Sequence, residues 1–267
     1  MAAKKKVILN WSGGKDCTHA LHVLQQSGRY DVVGLLEIAG THRNLQHGIP
    51  HALIQAQADS LGLPLFRHIV TWDTKSLALT RNAYRDLVIR DPGFHAKLQA
   101  FKKLGVAYLA GGDIDPDSFQ LRVKVLAQFD SLKALCPLIC PGLDHRLSGE
   151  ERRQRMRAHS LELAHRFIKA GFKALVVKVN LNTERGDQGR AASLKLLGRD
   201  YNGAFLSSLD SSMDPCGEFY EFHTFVYDGP GFRKKVDFTK GPVRYVSEMD
   251  YGMQAMLDLS PKGLPKG

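Results

Sequence analysis

At 267 residues, with 43% hydrophobic and 24% charged side chains, the chain can fold as one large domain or two modest ones with ample core. Lys and Arg number 37 against 27 Asp and Glu, a net charge of +10 that suits substrates carrying phosphate or carboxylate and also suits nucleic acid. No apolar run approaches the ~20 residues of a membrane span, the stretch after Lys4-Lys5-Lys6 is too short for a signal peptide, and four cysteines read as reduced thiols, so a cytoplasmic protein with no membrane partner is expected.

The chain opens on a buried strand, Val7-Ile8-Leu9-Asn10-Trp11, that runs into Ser12-Gly13-Gly14-Lys15-Asp16-Cys17 and then the helical spacing of Thr18 to Leu24. The glycines permit dihedrals closed to other residues and leave no Cβ in the way of an anion. The following amides lack intrahelical partners and point out of the positive end of the helix. Ser12 adds a hydroxyl and Lys15 a cation. The turn therefore reads as a phosphate cradle, and it is not a Walker A loop.

Tyr30 to Ile38 reads as a second strand, with Glu37 near its carboxyl end. A polar loop from Thr41 to Gly48, including His47, leads to a helix opened by Pro50 and closed by Gly62. Pro64 to Trp72 is a third strand. Ser76 starts a long helical region through Leu104, broken at Asp91-Pro92-Gly93. Val106 to Ala110 is a fourth strand ending in Gly111-Gly112-Asp113. A helix over Asp117 to Phe129 leads to a fifth strand at Leu132 to Leu138. Strands alternating with helices predict an α/β fold, a five-stranded parallel Rossmann-like sheet. Ligands in such sheets gather beyond the carboxyl ends of the strands. Ser12 to Cys17, Glu37, His47, Gly112 and Asp113 are therefore expected in one crevice.

Gly142 to Gly149 reads as a connector, which divides the chain into 1–141 and a smaller α+β domain over 142–267. Beyond it come a helix from Glu150 to Ala170, a strand from Phe172 to Val179 and a glycine-containing irregular segment from Asn180 to Ser212. Arg152-Arg153-Gln154-Arg155-Met156-Arg157 is a dense basic patch, read as a solvated helix face in preference to an RNA surface. Cys136 and Cys140 lack the further cysteines a structural zinc site needs.

A second chemical stretch runs from Met213 to Pro230. Glu218 and Glu221 flank two aromatics, and a strand over Phe222 to Tyr227 puts Glu221 and His223 on one face. A carboxylate beside an imidazole can orient it or raise its pKa, so either group can handle protons. A structural hairpin with exposed acids explains the same residues.

Ser12-Gly13-Gly14-Lys15-Asp16-Cys17 resembles the Ser-Gly-Gly-x-Asp-Ser signature of the PP-loop, or N-type, ATP pyrophosphatases, with Cys17 in place of Ser. Its pairing with Asp214-Pro215-Cys216-Gly217-Glu218 and Glu221-Phe222-His223-Thr224-Phe225-Val226-Tyr227-Asp228-Gly229-Pro230 resembles the diphthine–ammonia ligase family. Blocks at His47 to Ala58, Gly112-Asp113-Ile114 and Gly171 to Val177 extend the likeness over roughly residues 5 to 240. Phe219-Tyr220 departs from the Asn-Gly common between the two glutamates. The short single-unit chain matches the archaeal and bacterial types.

The resemblance implies an adenine-nucleotide α-hydrolase-like domain that binds ATP and Mg²⁺, followed by a smaller domain on the substrate side. It implies an enzyme that adenylates a carboxylate, releases pyrophosphate and transfers ammonia to give an amide. In eukaryotic and archaeal members the carboxylate is that of diphthine on elongation factor 2, and bacterial members are linked to other amidations, including cobalamin salvage. Carried onto this chain, Ser12, Gly13, Gly14, Lys15, Asp16 and Cys17 hold the phosphates, with Glu37, His47, Gly112 and Asp113 beside the nucleotide. Asp16 and Asp113 hold Mg²⁺. Lys15, Asp16, Glu218, Glu221 and His223 are the catalytic candidates, with Glu221 the proton acceptor. Lys15→Ala is expected to abolish pyrophosphate release and leave the fold intact. The partners are a small-molecule or protein-borne carboxylate and ammonia, with a second copy of the chain also considered. Two other readings share the first motif: a PP-loop tRNA-modifying enzyme, and an adenine-nucleotide-binding protein without turnover.

Overall fold

A computed structural model describes residues 3–43, 47–70, 91–127, 132–143, 146–182, 186–248 and 252–262. Its first half alternates strand and helix. β1 (Lys5–Asn10), α1 (Lys15–Gln26), β2 (Tyr30–Ala39), α2 (His51–Leu61) and β3 (Leu65–Ile69) come first. α3 (Pro92–Lys103), β4 (Tyr108–Ala110), α4 (Pro116–Ala127) and β5 (Lys133–Leu135) complete the unit. The strands form one parallel sheet in the order β3-β2-β1-β4-β5, the five-stranded α/β architecture read from the sequence. Leu9 in the middle strand pairs with Leu35 on one side and Ala110 on the other. Val7, Ile8 and Leu9 are all buried, as a strand covered on both faces requires.

Local chemistry sets the element ends. Gly62 closes α2 in the left-handed conformation (φ 67°). Asp91 caps α3 by accepting from the Gly93 and Phe94 amides, with Pro92 in the first turn where its missing N–H costs nothing. The expected helix from Ser76 to that point lies outside the described residues, as do Trp72 at the end of the third strand and Phe129 at the end of the fourth-strand helix. β5 stops at Leu135, short of the expected Leu138. Pro137 cannot donate to a ladder, and the chain turns there.

α5 (Gly149–Lys169) starts at Ser148, whose hydroxyl accepts from Glu151 N–H while the Glu151 carboxylate accepts from Ser148 N–H. After it come β6 (Lys173–Asn180), α6 (Gly186–Leu194), α7 (Gly203–Ser208), β7 (Phe222–Asp228), β8 (Phe238–Glu248) and β9 (Gly252–Pro261). The four strands form an antiparallel sheet in the order β7-β6-β9-β8. Two features differ from the sequence reading. The segment read as irregular carries α6 and α7, where Asn202 caps α7 by accepting from Phe205 N–H. The long β8–β9 hairpin was not anticipated. Gly241 and Pro242 read as breakers, but they sit at a register shift in an edge strand, where proline is tolerated.

The larger core cluster runs without a break from β1 and α1 through α5 and β6 to β7 and β9. A smaller cluster, centred on Phe94, Leu98 and Phe101, covers the other face of the parallel sheet. The antiparallel sheet thus shares a core with the parallel one, and β7 is packed against the turn that follows β1. Val226 N–H donates to the Gly13 carbonyl at 2.9 Å. No helix among the described residues is long and apolar enough to cross a membrane.

Candidate active site

The turn after β1 is held on both sides. Gly13 takes φ 80°, and a Cβ there would stand 2.5 Å from Ile54 Cδ1. Its carbonyl accepts from Gln57 Nε2 (2.9 Å), which also donates to Val226 O, while Trp11 Nε1 donates to Gln57 Oε1 (3.0 Å). Gly14 occupies the N-cap of α1 without a side chain. The Lys15 amide, one of the helix's orphan donors, is capped by Thr224 Oγ1 at 3.0 Å, across 209 residues of sequence. Cys17 is buried. Its thiol donates to Gly14 O (3.2 Å) and accepts from the Ser12 hydroxyl (3.5 Å), so it is engaged within the turn.

Lys15 does not lie over the open side of the turn, where the sequence reading placed it. It is 4% exposed, and Nζ donates to Asp16 Oδ1 (2.9 Å), Asp16 Oδ2 (2.8 Å) and the Cys216 carbonyl. The Tyr201 and Phe222 rings lie 5.9 and 5.7 Å from it. Burial favours the neutral amine, but the Asp16 carboxylate beside it works against burial, and the amine is pushed up.

The carbonyl that receives Lys15 belongs to a tightly built turn. Asp214 Oδ1 accepts from Cys216 N (2.8 Å) and Glu218 N (3.3 Å), and Tyr201 OH donates to Pro215 O (2.8 Å). Glu221 completes it, its carboxylate accepting from Asp214 N (2.7 Å) and Phe219 N (3.0 Å). Burial pushes the Glu221 carboxyl up to about 7. Its two oxygens face the turn's own amides, so Glu221 scaffolds the turn while Glu218 lines the crevice.

That crevice has a volume of about 970 Å³ and runs from the Ser12–Cys17 turn past Gly112 and Asp113 to Cys216–Thr224. Ser12, Lys15, Asp16, Cys17, His47, Gly112, Asp113, Glu218 and His223 all border it. Gly112 contributes space: a Cβ would stand 2.6 Å from the Asp16 carbonyl carbon and 2.7 Å from Cys17 N. Asp113 Oδ2 receives both Arg122 Nε (2.9 Å) and Nη2 (2.6 Å), together with the Cys136 thiol (3.1 Å). Burial opposes ionisation of Asp113, but the Arg122 guanidinium prevails and holds its carboxyl below the usual range. Glu218 goes the other way. Burial and then the Asp16 charge push it well above the usual range. The two carboxyl groups that line this common space are thus pushed in opposite directions.

Glu37 is not brought to the crevice. On a period-two strand its neighbours Leu36 and Ile38 face the crevice, while Glu37 is fully buried on the opposite side. There Arg67 Nε donates to Oε2 (2.6 Å), and His51 Nε2 lies 4.0 Å from Oε1. His47 sits against Gly14, its Nδ1 2.9 Å from Thr224 O, and stacks on His223 with centroids 4.7 Å apart. Burial, aided by Lys178 and Lys15, pushes His47 down to about 3, and burial with His47 and Lys178 pushes His223 well below its usual value.

Among the described residues no three His, Cys, Asp or Glu side chains converge as a metal site. Mg²⁺ asks for less, being held by one or two carboxylates with phosphate oxygens and waters. Asp16 and Asp113 are hard oxygen donors on the crevice wall and fit it in kind, each balanced by a protein cation, Lys15 or Arg122. Four residues that organise the site, Gln57, Arg122, Tyr201 and Thr224, receive no role from the sequence, although Gln57 and Thr224 lie in blocks that carry the resemblance. Gln57 left a trace, a polar residue on the apolar stripe of Leu53, Ile54 and Ala58. For the others, only long-range contacts reveal the role.

No curated protein matches the chain. Among solved structures, the U34-tRNA thiolase NcsA from Methanococcus maripaludis with its 4Fe-4S cluster is similar at 16% identity and a TM-score of 0.34. That likeness covers 61% of this chain and 59% of the thiolase, so this chain spans less than two thirds of it, and at that depth it carries no argument about the site. Residues 5–83, which hold the Ser12–Cys17 turn and His47, match the family model of the diphthamide synthase N-terminal domain.

Proposed function

We propose that this protein is a PP-loop enzyme that cleaves ATP to AMP and pyrophosphate while joining ammonia to a substrate carboxylate, in the manner of diphthine–ammonia ligase. The observation that carries the reading is a single crevice. It is bordered by the glycine turn at the carboxyl end of β1, by Asp113 beyond β4 and by the Cys216–Thr224 segment, and its volume suits a nucleotide. The match of residues 5–83 supports the nucleotide half of the reading.

In the proposed reaction a carboxylate oxygen of the acceptor attacks the α-phosphorus. The new O–P bond forms as the bond to pyrophosphate breaks. Ammonia then attacks the acyl carbon, AMP leaves with the acyl oxygen, and the nitrogen gives up a proton to solvent. Ser12 and the start of α1, apart from the Lys15 amide that Thr224 caps, hold phosphate oxygens. Asp16 and Asp113 would hold Mg²⁺, which supplies charge neutralisation on the departing pyrophosphate. Lys15 acts through Asp16 and the Cys216 carbonyl, fastening the turn that carries Glu218 to the start of α1. Glu218, which faces the crevice and whose carboxyl burial pushes well above the usual range, is placed to hydrogen-bond the acyl oxygen. Glu221 positions Glu218 by bracing the turn.

The arginines of the Arg152–Arg157 patch, which would carry a tRNA-modifying reading, have partners within the chain at its surface, and Arg152 and Arg153 also border the crevice. Arg152 pairs with Asp117 (2.9 Å) and Arg153 with Glu150 (3.0 Å), while Arg155 and Arg157 donate to the carbonyls of Gly142 and Ser211. The test is incubation with ATP, Mg²⁺, ammonium chloride and a panel of carboxylates, reading nucleotide products and product mass. AMP appearing with an amide is the expected outcome. ADP and orthophosphate as the only products, or ATP binding with no turnover in any mixture, would overturn the proposal.

A further inference from the structure

The cation expected over the glycine turn is fastened elsewhere, between Asp16 and the Cys216 carbonyl. What lies against the turn is the His47 imidazole, with His223 stacked on it as its ring partner. His47 packs so closely on Gly14 that a Cβ there would stand 2.9 Å from Nδ1 and closer still to Cε1. Its Nδ1 lies 2.9 Å from the Thr224 carbonyl, and since a carbonyl only accepts, Nδ1 bears the hydrogen. His223 stacks on that ring at 4.7 Å with the planes 29° apart, and both histidines border the crevice. β7 supplies His223, and its next residue, Thr224, caps the Lys15 amide. One strand therefore fixes both the ring and the turn.

Lys15 from α1 and Lys178 from β6, the register partner of His223, disfavour a charge on both rings, while Asp16, Asp113 and Glu218 border the same crevice. Two imidazoles whose charging burial disfavours, set beside Lys178, place proton acceptors next to a buried cation, while the Lys15 charge is offset by Asp16. That cation repels an ammonium ion and attracts an anion, and an arriving anion raises the proton affinity of the imidazole it meets.

We propose that His223, backed by His47, is an oxyanion subsite for the pyrophosphate portion of a nucleoside triphosphate, and that it takes up a proton from solvent as that anion binds. This deepens the ATP-cleaving reading and rests on it. It gives His223, a catalytic candidate in the sequence, a place on the phosphate side. The proton stays on the imidazole while the anion is bound, offsets charge on the leaving group, and returns to solvent on release. His47 is a positioning residue in this scheme, since it holds the ring it stacks against.

Calorimetric titration of the full-length protein with inorganic pyrophosphate, and separately with ATP, tests the inference. Buffers of different ionisation enthalpy report the protons taken up, at a pH about one unit above the ordinary histidine range. Uptake approaching one proton per anion is expected. His223→Gln is expected to abolish the uptake and weaken pyrophosphate binding about tenfold. His47→Gln is expected to reduce the uptake without abolishing it. Imidazole nitrogen shifts of the unmodified protein, followed by NMR as pyrophosphate is added, give the same answer if the variants misfold. ATP binding with no proton uptake, or pyrophosphate binding unchanged in His223→Gln, overturns the inference and leaves the ATP reading standing. Pyrophosphate-linked uptake without ATP binding supports the subsite and overturns the ATP reading. Binding of neither overturns both.

Discussion

Replacing Lys15 by Met removes a buried ammonium and keeps most of the side chain's volume. Nζ lies 2.8 Å from Asp16 Oδ2, with the two side chains 5% and 30% exposed, and it also donates to the Cys216 carbonyl. Breaking a fully buried pair from one side costs about 3–5 kcal/mol. The partial exposure of Asp16 lowers that to about 2–3 kcal/mol after screening. The stranded Cys216 carbonyl adds about 1 kcal/mol or more. A total near 3–4 kcal/mol corresponds to a Tm drop of roughly 6–15 °C for a chain of this size. Lys15→Met/Asp16→Asn should recover part of the loss, with a coupling energy of about 1–3 kcal/mol. Calorimetric melting of the four proteins of this cycle measures both quantities. A Lys15→Met protein within about 0.5 kcal/mol of wild type, or strict additivity in the cycle, would refute the clamp. The expectation that Lys15→Ala leaves the fold intact is therefore replaced. Loss of AMP formation in any Lys15 variant has to be read against its folded fraction.

Gly112→Ala places a methyl group 2.6 Å from backbone atoms of Asp16, which cannot swing aside. It should cost about 1–3 kcal/mol by overpacking, and more than tenfold in nucleotide affinity because α1 must shift. Urea unfolding and titration showing wild-type values would disprove that contact. Gln57→Leu leaves the Trp11 N–H and the Gly13 carbonyl without their side-chain partner, and a loss of about 1–3 kcal/mol is expected from the same unfolding assay. Glu221 has a folded pKa raised to about 7, so its contribution is present below the unfolded carboxyl value and is lost as pH rises through about 7. The stability of wild type relative to Glu221→Gln should accordingly fall by about 1–3 kcal/mol between the two values, and a flat difference would exclude it.

The parallel sheet was legible because most of its strands carry a short apolar stretch bounded by turn residues, and both periodicity and punctuation are local signals. The Ser12–Cys17 turn was legible for the same reason. The direction of the Lys15 side chain was not, because it depends on a carbonyl 201 residues away and on two aromatic rings from the other half of the chain. Glu37 shows a subtler failure. Its position at the end of a strand was readable, but the face it occupies follows from where Arg67 lies on the neighbouring strand. Glu221 and Glu218 look equivalent in sequence. Only the closing of the Asp214 turn separates the one that braces it from the one that faces the crevice. The β8–β9 hairpin was hidden by Gly241-Pro242, a breaker pair that an edge strand tolerates at a bulge.

The central claim is that the turn after β1 grips the triphosphate of ATP so that cleavage falls between the α and β phosphorus atoms. A crystal structure with the analogue whose α and β phosphorus atoms are joined by methylene tests it most directly. The account predicts the phosphates against the Ser12–Cys17 turn, with the terminal pair beside His223 and the α-phosphorus facing Glu218. Triphosphate density anywhere else on the molecule would contradict it.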